Sequence, residues 1–519
     1  MRGLLLKRLA VLLGIAVLAT AQDADRWWLY VEFLANPSLE GRNTGSEGHR
    51  KAADFVAAQF ERDGLKPAGV QGYIQPVKFD TLQLDEANSS LSLVRDRKAK
   101  PIVPGDEAII AARNYPESSI DAPLVFVGHG LRIPEANYDD FAGLETKGRI
   151  AVYLAGAPPS VPAALASHYQ SAAERARALQ AAGIVGTIAI ANPKHMDIPW
   201  ERIAANRGQT TMQLAMPNPQ TRGGLNIAVT WNPTKADELL AGTGHTFDEL
   251  VADAEAGKPV PRFPIKARLK ATAVVKRGQV ESQNIAAIYP GSDPVLKDEY
   301  VVLSAHVDHL GPGFNGAMDN AAGVATVLDT AATLKDTHPQ VRRSILFLAV
   351  TGEEKGLLGS HYFAANPTVP AKAIVADINT DMFLPLYPLK RLTVYGLDES
   401  SLGDDTRAVA KTSGIEVQLD PDPERNSFIR SDQYSFILQG IPALAMKDGY
   451  VKGTPEEKTF KTWLTERYHG KADDLSQPVD KQAAADFDRF VASLLVRVAN
   501  ADARPAWKSA SFFRRYAEK

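Results

Sequence analysis

The chain has 519 residues, 45% hydrophobic and 23% charged, which excludes small stapled scaffolds and disordered classes and leaves room for roughly two to four domains. Lys+Arg 58 against Asp+Glu 61 gives a net charge of −3, without the basic excess that a general nucleic-acid binder needs. Zero Cys excludes disulfides, thiolate catalysis and iron–sulfur ligation, so any metal must be held by His, Asp and Glu.

Residues 1–21 carry Arg2, Lys7 and Arg8, then the apolar run Leu9 to Leu18, then Ala19-Thr20-Ala21. That is the charged, apolar, small-x-small order of a secretory signal peptide, and the run is too short to cross about 30 Å of hydrocarbon. The expectation is an exported protein, periplasmic or extracellular, with no membrane span and no Cys after the cleavage site to carry a lipid. An amphipathic stretch from Asp25 to Leu34 comes next, then the turn-rich Glu40 to Ser46. A helix with Ala52, Phe55, Val56 and Phe60 on one face then ends at Gly64.

From Ala122 to Pro264 the pattern changes. Leu124 to Val127, Ile150 to Leu154 and Ile184 to Ala191 read as strands, with a helix from Ala172 to Ala182, and a Pro/Gly-rich joint closes the stretch at Gly257 to Pro264. It reads as an inserted domain, 122–264, between an N-terminal part, 22–121, and the remainder of the main domain, 265–500. Residues 501–519, basic and aromatic, read as a loosely held tail.

Beyond Asn284, strands alternate with helices: Tyr300 to Val307, helix Asn320 to Leu334, Ser344 to Val350, helix Gly356 to Ala365, Ala373 to Ile378, Leu392 to Tyr395. The alternation predicts an α/β fold with a mostly parallel, doubly wound sheet whose site gathers at the carboxyl ends of the strands.

Chemistry-bearing residues do fall there. Ala305-His306-Val307-Asp308 closes one strand, and His-x-Asp puts imidazole and carboxylate on the same side of an extended chain, where a carboxylate can hold the second ring nitrogen of a metal-binding His. Asp319 lies at the mouth of a helix. The next strand opens into Gly352-Glu353-Glu354, adjacent carboxylates of which one can bind metal while the other faces a water as general base. Asp381 ends the following strand, and His469 comes much later, before Asp473-Asp474. Singly, each has a plain structural explanation: a hydrogen-bonded pair, an N-cap, a helix start. Together, two His and three carboxylates make an N/O ligand set suited to two divalent ions.

Gly311-Pro312-Gly313-Phe314-Asn315-Gly316 matches G-x-G-x-x-G, but the acid expected about 20 residues on is missing, so flexible glycines around a metal loop fit better than a dinucleotide site. No G-x-S-x-G nucleophile motif is present; Gly45-Ser46-Glu47-Gly48 lacks the spacing. His129, His168, His195 and His245 read as structural or surface residues. His309 and His361 lie close to the proposed site in sequence, where an ordinary hydrogen-bonding role is the commoner one.

These motifs, with Gly41 to Ser46, Gly316-Ala317-Met318-Asp319-Asn320, Asn379-Thr380-Asp381-Met382, Tyr468-His469 and the insert entry Tyr138 to Gly148, make the chain resemble the di-zinc exopeptidases. That family includes secreted bacterial leucyl aminopeptidases and, with an inserted protease-associated domain, glutamate carboxypeptidase II. The resemblance implies that His306 and Asp381 hold one zinc, Glu354 and His469 the other, and Asp319 bridges them. Glu353 would be the general base and Asp308 the partner orienting His306. Arg430 and Asp432 match a segment lining the substrate side. Two departures stand out: His469-Gly470-Lys471 replaces the more usual His-Thr-Pro, and Gln433 stands where many members carry His.

The implied function is a secreted aminopeptidase hydrolysing N-terminal peptide bonds of a peptide substrate by metal-activated water. A glutamate-carboxypeptidase-like enzyme, with Arg430 as carboxylate receptor, and a non-catalytic receptor on the same fold are the alternatives.

Overall fold

The computed structural model describes residues 24–113, 115, 118–215 and 225–518, so the signal segment expected at 1–21 lies outside the described residues. The chain forms two compact units: 1–77, 281–421 and 430–519 make the first, and 78–280 with 422–429 make the second. No helix among the described residues is long and apolar enough to cross a membrane.

In the first unit the strands run in the order Val275–Tyr289, Ser344–Val350, Tyr300–His306, Ile374–Thr380, Ala443–Asp448, Arg391–Tyr395, Glu416–Gln418. The central strands from Ser344–Val350 to Ala443–Asp448 are parallel. Val275–Tyr289 and Arg391–Tyr395 pair antiparallel to their inner neighbours, so the sheet is mixed and not mostly parallel as expected. The cause lies in the connections. A parallel crossover needs a dozen or more residues, usually a helix; 290–299 holds one short turn, Leu296–Asp298, and 381–390 holds no helix at all, so each reverses the chain.

Ser344–Val350 and Ile374–Thr380 are buried at every position, as expected of strands covered on both faces. Ala322–Thr337 and Lys481–Asn500 pack on the sheet and on each other, while Leu358–Ala365 and Gln433–Ile437 form a second helical group against it. The Phe383 and Phe487 rings stack at 3.9 Å inside this core.

The tail expected to be loose is packed. Trp507 donates from Nε1 to the Gly440 carbonyl at 2.8 Å and Phe513 is fully buried, because its apolar rings have a seat in the first unit.

The second unit has its own eight-stranded sheet, in the order Lys98–Pro101, Ser90–Arg95, Arg262–Thr272, Ser119–Val127, Ile150–Leu154, Gly186–Ile190, Ile227–Trp231, Ala108–Ile110. Leu124, Phe126, Val152, Ile188, Trp231 and Leu269 fill a separate core. The expected insert, 122–264, falls inside this unit, which adds strands from either side of it. Asp140 organises one corner by accepting from the His129 and Leu131 amides and, at 2.6 Å, from the Tyr138 hydroxyl.

Candidate metal centre

The site grows from the carboxyl end of Tyr300–His306. The His306 ring is buried, and its Nδ1–H donates to the Asp308 backbone carbonyl at 3.0 Å, which leaves the lone pair on Nε2. The Asp308 carboxylate lies 3.9 Å from Nδ1, so the ring is held by the main chain of Asp308. That carboxylate serves elsewhere: it accepts from Thr44 Oγ1 at 2.8 Å and from the Glu353 and Glu354 amides at 3.1 and 3.4 Å, fixing the turn that carries both glutamates. Arg42, fully buried, donates to the carbonyls of Leu34, Val307, Asn315 and Gly316, and so ties the His306 loop to the Asp319 loop. The turn Gly41 to Ser46 is thereby part of the site's frame. Gly41 allows it, since a Cβ there would meet the Gly311 and Phe314 carbonyls at 2.1 and 2.2 Å.

His306 Nε2 faces Asp319 Oδ1 at 3.4 Å and Asp381 Oδ1 at 3.5 Å, with Glu353 Oε2 at 3.9 Å. On the other side of Asp319, His469 Nε2 is 3.1 Å from Asp319 Oδ2 and 3.3 Å from Glu354 Oε2. His306, Glu354, Asp381 and His469 are therefore gathered about the Asp319 carboxylate, with Glu353 beside His306 and Asp308 behind the turn that carries both glutamates. His306, Asp319 and Asp381 form one group with metal-ligand spacing, and His309, Asp319 and Glu354 form a second. The donor set fits divalent ions on an internal criterion: His306 Nε2, Asp319 Oδ2, Glu354 Oε1 and Asp381 Oδ1 are buried with no hydrogen-bond partner. Leaving such groups unsatisfied costs about 1–3 kcal/mol each, more when charged, and a shared cation removes the deficit.

Electrostatics agree. Burial opposes charge on His306, yet Glu353, Asp319 and Asp381 push its pKa well above the ordinary value, so the pocket draws positive charge. Burial, with Asp381, Glu354 and Asp432 nearby, pushes the Glu353 carboxyl well up despite the opposing pull of His306. Asp432 is raised to about 7, chiefly by burial.

Neighbouring loops lock the cluster. Asp319 and Asn320, joined by a cis peptide bond, precede the helix Ala322–Thr337. Asn320 donates to the Thr380 carbonyl at 3.0 Å and accepts from the Met382 amide at 3.2 Å, so the loops bearing Asp319 and Asp381 move together. Asp473 accepts from the Met318 and Asp319 amides at 2.9 and 3.0 Å. Gln433 accepts from Asn379 Nδ2 at 2.9 Å. Arg430 Nη2 is 3.3 Å from the Tyr468 hydroxyl, and the Tyr468 ring lies 4.0 Å from the His469 ring, which puts Arg430 near the mouth of the cluster.

Sequence reasoning gave His309 too small a part. It is fully buried with Nδ1 2.7 Å from Glu354 Oε1, and its signal was its place one residue after the His-x-Asp pair. Arg42 and Asp473 act through backbone groups, which no side-chain motif announces. His361 bonds to the Leu357 carbonyl at 2.6 Å and to Ser435 Oγ at 3.0 Å, outside the cluster. In the second unit, His129 and His168 are buried, His195 pairs with Glu255 at 2.7 Å, and His245 stacks on Phe263 at 4.4 Å.

Residues 284–495 match the family model described as Peptidase family M28. The matched segment contains every proposed metal ligand. Among curated proteins, the chain is 30% identical over 243 residues to "Probable leucine aminopeptidase 2" of Aspergillus fumigatus, covering 43% of this chain and 46% of that protein. It is 29% identical over 206 residues to "Aminopeptidase Y" of Saccharomyces cerevisiae, covering 38% and 35%. The chain thus spans between a third and a half of the length of these relatives. Among solved structures, an aminopeptidase from Aneurinibacillus sp. strain AM-1 superposes with a TM-score of 0.57 at 20% identity, covering 91% of this chain and 93% of that one. A zinc aminopeptidase from Bacillus subtilis gives 0.51 at 19% identity, covering 91% and 94%. These two likenesses establish the shared fold.

Proposed function

We propose that the chain is an exported zinc-dependent exopeptidase, an aminopeptidase that hydrolyses the N-terminal bond of a peptide. The observation that carries this is the convergence of orphaned His and carboxylate atoms on both sides of Asp319, with Glu353 at their edge. His306 and Asp381 would hold one ion, Glu354 and His469 the other, and Asp319 both. Two bound divalent ions would polarise the scissile carbonyl and acidify a water. Glu353 is the group left to move protons: its carboxylate takes one from that water and returns it to the leaving amine. A carboxyl pushed upward by burial is suited to both steps. Asp308 positions it through the Glu353 amide, and Asp432 and Arg430 lie toward the substrate side. Residues 122–264, within the second unit, are read as a protease-associated domain, a reading supported by the match at Tyr138 to Gly148 and by the independent sheet of that unit. Export rests on the pattern of residues 1–21.

The test is a panel of free-amine, N-acetylated and C-amidated dipeptides, with and without a chelator followed by zinc. Chelator-sensitive cleavage that requires a free amine is the expected result. Cleavage that requires a free carboxylate would overturn the aminopeptidase assignment in favour of a carboxypeptidase using Arg430. Zinc bound without any cleavage would favour a receptor. Within an active enzyme, Glu353→Gln should lower kcat about 10²–10⁴-fold with zinc content unchanged.

A further inference from the structure

His309 is the one histidine beside the cluster to which the resemblance gives no role. Its ring is fully buried and fixed in place: the backbone N–H bonds to the Arg42 carbonyl at 3.3 Å, and a Cβ on Gly316 would meet the ring carbons Cγ and Cδ2 at 2.6 and 2.7 Å. Gly316, at φ 58, therefore makes the seat for this ring. From that seat Nδ1 reaches 2.7 Å from Glu354 Oε1 and 3.9 Å from Asp319 Oδ2.

The separation from Glu354 is short, yet the two atoms stand without a hydrogen-bond partner. His309 Nδ1, Glu354 Oε1 and Asp319 Oδ2 are all buried without a hydrogen-bond partner, and so is His309 Nε2. Three donor atoms that face one another yet do not bond to one another are satisfied together by a cation. His469 approaches the same two carboxylates with its own Nε2, its ring edge-on to that of His309 at 6.0 Å.

We propose that His309 is a sixth metal ligand, binding through Nδ1 the ion held by Asp319, Glu354 and His469; the proposal rests on the metal reading above. The two sites are then chemically unequal. His306, Asp319 and Asp381 offer one imidazole and two carboxylates, whereas His309, His469, Asp319 and Glu354 offer two of each. Two imidazoles favour zinc, cobalt or copper over oxygen-preferring magnesium and manganese. Only the His306 side should therefore exchange freely with manganese.

The experiment is zinc K-edge absorption spectroscopy on the full chain loaded with zinc alone, with bound metal counted by mass spectrometry after dialysis against a competing chelator. Three imidazoles over two ions give about 1.5 per zinc on average, against about 1 if only His306 and His469 bind, each within the usual four-coordinate range. His309→Ala should bring the count down to about 1 and weaken retention of one ion about 10–100-fold, the cost typical of disturbing a metal site's support or more. His195→Ala, in the second unit, should change neither reading. A wild-type count near 1 that His309→Ala leaves unchanged overturns the proposal and makes His309 a positioning residue for Glu354. This measurement on the unmutated protein decides the matter even if the variant fails to fold. A wild-type chain that takes up no zinc overturns the metal reading itself, and the proposal with it.

Discussion

The two units bury acidic residues in different ways. In the second, Asp140 is surrounded by donors, two backbone amides and the Tyr138 hydroxyl, and among the described residues no carboxylate oxygen of that unit is buried without a partner. In the first, Asp319, Glu354 and Asp381 present orphaned oxygens to one another at the ends of adjacent strands. The second arrangement is self-sufficient; the first needs charge from outside the chain. That difference marks the functional unit without reference to any motif, since buried like charges survive only where something compensates them.

Removing the shared carboxylate should break the contrast most severely. Asp319→Ala is expected to release bound zinc and lower peptide hydrolysis by about 10³-fold or more, the several kcal/mol that metal ions supply to charge stabilisation. Amide exchange in the second unit, at Ile150–Leu154 for example, should stay as slow as before. Retention of two ions by this variant would contradict the bridging role.

Chelation should act in the same sense without mutation. An ion present at about 1,000 times its dissociation constant stabilises the state that binds it by about 4 kcal/mol. Stripping the metal should therefore lower the melting temperature of the first unit and speed exchange at 316–321, 351–357 and 380–383, leaving the second unit unchanged. Equal losses in both units would mean that the ions do not reside where the orphaned atoms are. The converse experiment opens the other core. Trp231→Ala should cost the second unit about 3–5 kcal/mol, because Trp231 is fully buried in a core that shares no residue with the first, and zinc stoichiometry should hold.

How far this contrast could be read from the sequence follows from the kind of signal each feature leaves. Tyr300–His306, Ser344–Val350 and Ile374–Thr380 were legible because buried parallel strands are written as short, predominantly apolar β-branched runs, and the proposed ligands stand where those runs stop. Strand direction was not legible. It is decided by loops such as 290–299 and 381–390, whose lack of a helix forces antiparallel return and carries no residue signature. The roles of Arg42 and Asp473 were hidden for a related reason: both grip backbone groups, and any loop conformation offers carbonyls and amides. The carboxylate of Asp308, expected to hold the His306 ring, leaves that to its own main-chain carbonyl and binds the Glu353 amide instead, a division that His-x-Asp spacing cannot specify.

Acid should weaken both units alike, which makes pH a control for the metal-specific effects. Burial pushes His49 in the first unit and His129 in the second down to about 4 from the ordinary 6.5. Each is neutral when folded and would take a proton when unfolded. Stability is therefore full above about 6.5 and falls as pH drops toward 4, by up to about 1.4 kcal/mol per pH unit for each histidine. His129→Gln should flatten the acid limb of unfolding monitored in the second unit and leave that of the first. An unchanged limb would mean that His129 is charged in the folded chain.

Asp488 tests whether burial in the first unit always means an exposed charge to be met by an ion. It lies buried on Lys481–Asn500, outside the metal-ligand groups, and burial together with Asp329 holds its carboxyl well above the ordinary range. Arg26 bonds to Asp329 at 2.5 Å, so the positive partner of this pair sits on the Asp329 side and proton uptake is favoured at Asp488. A carboxyl raised on folding stabilises below its unfolded pKa of about 3.9, and loses that contribution as pH rises through the folded value. Above that unfolded value, then, the folded chain carries a penalty that Asn would not have. Asp488→Asn should raise the melting temperature of the first unit by about 2 °C at pH 7, the effect of roughly 1 kcal/mol on a domain of this size, and by less at pH 4. A lower melting temperature at pH 7 would place a charge on Asp488, and the first unit would then hold uncompensated carboxylates beyond its metal centre.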